Sequence, residues 1–359
     1  MRIALVCPYS MSEPGGVQEQ VRGLARALSA AGEQVSLFGP ELPSEDKISG
    51  VEMMSLGGAV RLPANGSVAP VGLDPRMLVR LELALDPADV LHVHEGFLPA
   101  SLAATFRVPT GVPVVATFHA AAERFLPYRV AAPALRRFGR RFAAATAVSP
   151  SAAALVRRYT ALNPQIVPNG FDTDAYASAA PDPWAAGLGR VVLFVGRPEP
   201  RKGFDVALRA FASVSARHPD VHLVCFPAPG SSAPDGLDRV HCLGRVDHQR
   251  KLALYAAAES VVVPSLHGES FGLVVVEAMA AGCAVLASDI PGYRFAGGDV
   301  PVYAAPGDAG AWADQLDLLL SGHKRRSELA ERGPARAREF DWTNVGAAMS
   351  DVYRAVASG

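Results

Sequence analysis

Short apolar runs alternate along the whole chain with longer stretches in which apolar residues recur every three or four positions. Runs of that length are buried strands, and the stretches between them are covering helices, so the pattern predicts an α/β protein built from parallel βαβ units. In the first half the strands fall at Ile3 to Val6, Val35 to Phe38, Val90 to Val93, Val114 to Phe118, Thr146 to Val148 and Ile166 to Val167. The first helix carries a buried stripe of Val17, Val21, Leu24 and Leu28. A stretch rich in Ala, Pro and Asp, Asp172 to Gly187, breaks the alternation and reads as a linker. The alternation then restarts with Val191 to Val195, Leu223 to Phe226, Ser260 to Val263 and Ala284 to Ala287. The expectation is two doubly wound, Rossmann-like domains, 1–170 and 186–340, facing across a cleft, with a C-terminal segment 341–359. Ligands of such sheets gather at the carboxyl ends of the strands.

Length and charge narrow this picture. At 359 residues the chain exceeds one ordinary core, which agrees with two domains. Lys plus Arg (34) balances Asp plus Glu (35), so no global field argues for nucleic acid, and any anion site must be local. Cys7, Cys225, Cys242 and Cys283 form no Cys-x-x-Cys pair and read as reduced core residues of a cytoplasmic protein. The opening run Met1 to Cys7 is too short for a signal-peptide core or a spanning helix, which leaves only peripheral membrane contact.

Several strand ends carry chemistry. Glu269 and Glu277 bracket a loop-to-helix junction, eight positions apart, and point towards one space; the plainer reading is two solvated acids. The helix after Glu269 is expected over Leu273 to Ala281, capped by Gly282. Gly15-Gly16 opens the first helix, where backbone N–H groups favour an anion; an ordinary tight turn is the alternative. Arg197, Arg201 and Lys202 follow the first strand of the second half and form a compact positive site suited to a diphosphate. His119 ends a strand. His92 and His94 share one strand face, with Glu95 turned away, a weak metal pattern, and Asp172-Thr-Asp174 fits a turn or cap better than a metal site.

Together these residues resemble family 4 retaining glycosyltransferases of the GT-B fold. The likeness runs in order through Gly15-Gly16, His119, Pro168-Asn-Gly-Phe-Asp172, Gly196-Arg197 with Lys202, and Glu269 to Glu277 as an E-x7-E element. Phe340-Asp-Trp342 and the helical Val345 to Ala355 are similar to the family's final helix, which crosses back onto the first domain. Within the family the chain looks most like phosphatidylinositol mannosyltransferases, from Val6-Cys-Pro-Tyr-Ser10, Pro14-Gly-Gly-Val-Gln18, Asn65-Gly-Ser-Val-Ala69, His92-Val-His-Glu95 and Ala116-Thr-Phe-His119.

The resemblance implies a hexose moved from a nucleotide-diphosphate sugar, GDP-mannose favoured, to an inositol-type acceptor such as phosphatidylinositol, with retention and without metal or cofactor. Gly15, Gly16, Arg197, Lys202, Glu269, Phe271, Gly272, Leu273 and Glu277 would bind the donor. Tyr9, Gln18, Asn65, Ser67 and His119 would face the acceptor, and His119, Arg197, Lys202 and Glu269 would carry the reaction. Ala120-Ala-Ala-Glu123-Arg124 stands where those relatives have a polar run, and Pro70 stands at a basic position. A soluble natural-product glycosyltransferase acting on a cyclitol therefore stays open, as does a nucleotide-sugar epimerase or hydrolase. Arg129, Arg136, Arg137, Arg140 and Arg141, interleaved with Leu126, Val130, Leu135 and Phe142, suit either an anionic membrane surface or a solvated helix face.

Overall fold

A computed structural model describes residues 1–358 except 14, 44, 46, 65–66, 75, 86, 122–125, 198 and 227–235, with backbone alone at 63–64, 67–68, 79 and 82–84. The chain divides into two compact units, Met1–Phe171 with Trp342–Gly359, and Asp172–Asp341.

Unit 1 contains a seven-stranded sheet and a separate hairpin. Its strands are β1 (Arg2–Val6), β2 (Gln34–Gly39), β3 (Val51–Ser55), the hairpin β4 (Ala59–Ala64) and β5 (Ser67–Gly72), β6 (Val90–His94), β7 (Val114–Phe118), β8 (Ala144–Ala147) and β9 (Gln165–Ile166). The sheet order is β3-β2-β1-β6-β7-β8-β9 with every pair parallel, so the order reverses between β1 and β6. Strand alternation sorts β1 onto two cores. Ile3 and Leu5 pack with Val21, Leu24 and Leu28 of helix Gly16–Ala30 and with Val345 and Met349 of helix Trp342–Ala357. Ala4 and Val6 face Leu81, Ala100 and Ala104 on the other side. The Trp342 indole lies where a Cβ on Gly23 or Gly170 would come within 2.0 and 2.4 Å of it, so both positions need glycine.

Unit 2 repeats the plan with β10 (Arg190–Phe194), β11 (Val221–Cys225), β12 (Val240–Cys242), β13 (Ser260–Val263), β14 (Ala284–Ser288) and β15 (Val302–Ala304). These six strands are parallel in the order β12-β11-β10-β13-β14-β15, with reversal between β10 and β13. Phe194, Phe211, Leu223 and Trp312 are buried in its core. Among the described residues no helix is long and apolar enough to cross a membrane.

The hydrophobic pattern locates all ten strands it names, to within a residue or two. It misses β3, the hairpin, β12 and β15. The hairpin leaves Val60 and Leu62 40% or more exposed, and β12 and β15 have three residues each, so none produces a buried run. The segment Asp172–Gly187 is not a bare linker. It carries helices Thr173–Ala177 and Pro183–Ala186, capped by the carboxylates of Asp172 and Asp182, and belongs to unit 2. All four cysteines are free, and β11 and β12 bring Cys225 Sγ to 3.2 Å from Cys242 Sγ. The arginine-rich helix ends at Gly139, so Arg140, Arg141 and Phe142 lie beyond it; Phe142 is buried and Arg141 covers the Phe106 ring.

Candidate functional site

In unit 2 the site forms at the strand-order reversal, from the loops after β10 and β13. After β10 the chain turns through Pro200–Lys202 and enters helix Phe204–Val214 across Gly203, which is left-handed at φ 71°. A Cβ there would lie 2.0 Å from Pro264 O, so glycine lets the two loops touch. Leu266 N–H donates to Arg201 O at 2.7 Å and fixes that approach. Glu269 is thereby delivered to the cations: Lys202 Nζ lies 2.6 Å from its Oε1, and Arg201 Nη1 lies 2.5 Å from the same oxygen. Arg201 also pairs with Glu199 at 2.7 Å, and Arg197 reaches Glu199 at 3.3 Å. Burial pushes the Glu269 carboxyl up, but Lys202 and Arg201 outweigh it and hold it below the usual range.

The compact positive site expected from Arg197, Arg201 and Lys202 is therefore a charge network. Among the described residues, three cations face two carboxylates. Ser270 Oγ, beside Glu269, is buried with no partner among the described residues. Phe271 is 2% exposed and packs against Phe295 and Phe340 at 5.9 and 5.1 Å, so it can offer a ligand only its backbone. Gly272 is left-handed at φ 101° and starts helix Leu273–Ala280; a Cβ on it would meet Tyr293 at 2.6 Å. Gly282, at φ 73°, follows the helix as the pattern predicts.

Glu277 sits on that helix, 8% exposed, and has its own partners. Lys251 Nζ donates to Oε1 at 2.7 Å and Tyr255 OH to Oε2 at 2.9 Å, with the Tyr176 hydroxyl adding a further bond. Burial raises the carboxyl, and Lys251 together with the Tyr176 and Tyr255 hydroxyls more than reverses it. Glu269 and Glu277 thus share no described partner. Lys251 and Tyr255, four apart on helix His248–Ala257, were not singled out from sequence, although their spacing places both on one helix face. Glu277→Ala is expected to cost about 3 kcal/mol of stability, because Lys251 is left without its partner. Joint replacement of Glu277 and Lys251 by methionine should restore most of the melting temperature. Donor affinity, read by calorimetry, should stay low in both variants; restored affinity in the double variant would limit Glu277 to a packing role.

In unit 1 the corresponding loops follow β1, β6 and β7. Gly15 is extended (φ −163°, ψ 154°) before helix Gly16–Ala30, and a Cβ on it would strike the Gln18 amide at 2.3 Å, whereas Gly16 faces open space. Gln18 is 6% exposed and its Nε2 donates to Ser10 O at 3.1 Å, so this side chain braces the loop in the resting fold. Tyr9 is half-buried and its backbone bridges Val71 of β5. Ser67 opens β5, and Asn65 lies outside the described residues.

His119 follows β7, and its Nε2 lies 2.9 Å from His94 Nδ1 with the rings stacked at 5.2 Å. Burial lowers the His119 pKa to about 4, with the Asn169 side chain opposing through a hydrogen bond. His92 is enclosed, Nδ1 on Tyr353 OH and Nε2 on Thr117 Oγ1, both at 2.7 Å, and burial lowers its pKa to about 3. His92 and His94 do share a face, with ring centres 4.4 Å apart. Glu95 diverges from them, at φ 48°, and its Oε1 accepts the N–H groups of His119 (2.7 Å) and Ala120 (2.8 Å). No group of three or more His, Cys, Asp or Glu suited to a metal ion occurs among the described residues.

Two doubly wound parallel sheets, each with polar and charged residues at its reversal point, place candidate ligand sites beyond the carboxyl ends of the strands. Residues 14–175 match the family model for glycosyltransferase family 4, and residues 189–322 match that for glycosyl transferases group 1. The chain belongs to glycosyltransferase family 4, with the GT-B fold. It is 36% identical over 371 residues to the phosphatidyl-myo-inositol mannosyltransferase of Mycobacterium leprae, covering 100% of this chain and 98% of that protein. It is 28% identical to the D-inositol 3-phosphate glycosyltransferase of Gordonia bronchialis, covering 99% of this chain and 89% of that one. Among solved structures, sucrose-phosphate synthase from Thermosynechococcus elongatus superposes with a TM-score of 0.75 at 23% identity, covering 99% and 98% of the two chains.

Proposed function

We propose that this glycosyltransferase moves mannose from GDP-mannose to a ring hydroxyl of an inositol-type acceptor, phosphatidylinositol in particular, with retention and without a metal ion. The observation that carries the donor half is the convergence of Lys202 and Arg201 on Glu269 at the reversal point of unit 2. A diphosphate placed there takes over Lys202 and Arg197, and the Glu269 carboxylate, released from part of its pairing, accepts hydroxyl hydrogens of the sugar. Glu277 holds the ribose from the following helix. Within unit 1, the Gly16 amide end of the first helix is by itself suited to an anion.

As the bond from the anomeric carbon to the diphosphate breaks, negative charge grows on the leaving oxygens and the cations stabilise it. The acceptor oxygen forms the new bond to the same carbon, and its proton passes to a diphosphate oxygen. Glu269 arrives already bound to two cations, which suits a sugar clamp better than the nucleophile of a retaining glycosidase. The name and full-length similarity of the mycobacterial relative support the inositol acceptor and the mannosyl donor. Membrane contact draws support from helix Leu126–Gly139, where Leu126 (67% exposed) and Val130 (75%) stand among Arg129, Arg136 and Arg137. Ala120 and Ala121, half-buried after His119, favour a small cyclitol as the second reading.

The test is incubation with GDP-mannose, UDP-glucose or UDP-N-acetylglucosamine, each with phosphatidylinositol vesicles, free inositol or no acceptor. Mass spectrometry should find mannosylated phosphatidylinositol from GDP-mannose alone, and NMR should show the α-anomer. Turnover with free inositol but not vesicles selects the cyclitol reading. Nucleotide release that is equal with and without acceptor would sink transfer, and loss of turnover in EDTA would sink metal independence.

A further inference from the structure

We propose that Glu95 is an acceptor-binding residue, tied to the chain through one carboxylate oxygen and using the other to accept hydroxyl hydrogens of a polyhydroxylated acceptor. Position gives the first argument. β1 and β6 are the neighbours at which the order of the unit 1 sheet reverses, and Glu95 is the residue that leaves β6 at that point. Open α/β sheets bind ligands at such reversals, beyond the carboxyl ends of the strands. The chain leaving β1 supplies Tyr9, and the chain leaving β7 supplies His119.

Glu95 also carries two penalties that the resting fold does not require. It is one of only two non-glycine residues with positive φ among the described residues, and such backbone persists where the surroundings force it, typically at active sites and ligand clamps. Its side chain is buried, 4% exposed, yet it forms no ion pair with any described residue. Both of its hydrogen bonds, from the N–H groups of His119 and Ala120, end on Oε1, and no described residue bonds Oε2. Glutamine would accept the same two N–H groups without placing a charge in a low-dielectric setting. No described residue of the resting fold calls for that charge, which leaves it for a ligand.

The surroundings select the ligand's chemistry. Tyr9 and Tyr128 lie within electrostatic reach of Glu95, and His119 is kept neutral by burial. The phenols and the neutral imidazole offer uncharged donors and acceptors, and a carboxylate with no ion-pair partner among the described residues disfavours an anion in direct contact, so together they suit a neutral ring dense in hydroxyl groups. A carboxylate oxygen has two acceptor lone pairs, enough to take adjacent hydroxyls of a cyclitol. This assignment rests on the proposed inositol-type acceptor, and it makes Glu95 the residue that reads the ring.

The experiment compares wild type with Glu95→Gln and Glu95→Asp, using GDP-mannose and an inositol-type acceptor, and includes acceptors that lack single ring hydroxyls. Glu95→Gln keeps the shape and the Oε1 contacts, and is expected to raise the acceptor KM about tenfold, the loss of one charged hydrogen bond. The donor KM should stay within about twofold of wild type, on the same reasoning that only acceptor contacts change. One deoxy acceptor should bind both proteins equally poorly, because its missing hydroxyl is the one Glu95 holds. An unchanged acceptor KM in Glu95→Gln overturns the inference, as does a deoxy penalty that is the same in variant and wild type for every hydroxyl. A fall in kcat and melting temperature at constant acceptor KM would reduce Glu95 to a support for the His119 loop and also overturn it. Wild type that is inactive with every inositol-type acceptor sinks the proposed function instead, and this inference with it.

Discussion

Lys202→Ala is expected to lower kcat/KM by about 10²- to 10³-fold, the cost of removing one preorganised donor from a charge that develops in the transition state. Lys202 is the cation best placed for that effect. Its side chain is 12% exposed, and its ammonium already sits 2.6 Å from a carboxylate that stands where a ligand's negative charge would. Arg197 was equally prominent in the sequence, but its side chain is 64% exposed and lies 3.3 Å from Glu199, a longer contact than the 2.6 Å of Lys202 to Glu269. Its loss should raise the donor KM more than it lowers kcat. Steady-state kinetics with GDP-mannose, alongside thermal melts, check both. Glu269 keeps Arg201 in the Lys202→Ala protein, so the melt should move little while the rate collapses. Activity within a few-fold of wild type would remove leaving-group stabilisation from this residue.

Unit 1 is expected to lose stability steeply on mild acidification, between pH 6.5 and about 4, because His92, His94 and His119 are neutral in the fold. Burial depresses all three pKa values, to about 3 for His92 and about 4 for His119. The sign follows from proton counting. Below pH 6.5 the unfolded chain binds protons at these rings while the folded chain does not, so the stability present above 6.5 is lost as pH falls towards the folded values. Each ring contributes about 1.4 kcal/mol per pH unit in that window, so three give about 4 kcal/mol per unit at most. Glu95 acts in the opposite direction, since burial raises its pKa and protonation relieves the charge. Urea unfolding of the whole chain, followed through Trp342 fluorescence with Trp184 and Trp312 replaced by phenylalanine, reads this unit. A His92→Gln variant should lose about a third of the slope on the same reckoning. A midpoint flat from pH 7 to 5 would mean that the rings accept protons in place.

Much of the fold was legible because it depends on local pattern. A parallel strand covered on both faces must be apolar at nearly every position, as Leu5 and Val6 of β1 are at 0% exposure, and such a run stands out in any sequence. The hairpin strands and the three-residue edge strands β12 and β15 bury too little to leave that mark. Caps were legible for the same local reason: Asp172 was read as a turn or cap, and it caps Ala175 N–H at 2.9 Å. The site was legible in its residue types and not in its pairing. Arg201 and Lys202 were read as free positive charge, and Glu269 as a free acid, whereas the fold spends them on one another across 67 or 68 positions of chain. Lys251 and Tyr255 went unnoticed because the carboxylate they serve is more than twenty positions away.

The sequence by itself determined the α/β class, the two sheets, the order of the strand-end motifs and the family they belong to. The class and the sheets follow from which residues are apolar and how they are spaced, and the family from the resemblance of its motifs, none of which needs a partner from elsewhere in the chain. Tertiary structure decided which charges stay available. It set Glu269 on Lys202, Glu277 on Lys251 and His119 on His94, and it buried Glu95 at the reversal of the first sheet without a counter-ion among the described residues. Electrostatic energies depend on separation and burial together, and both are fixed only when distant segments pack.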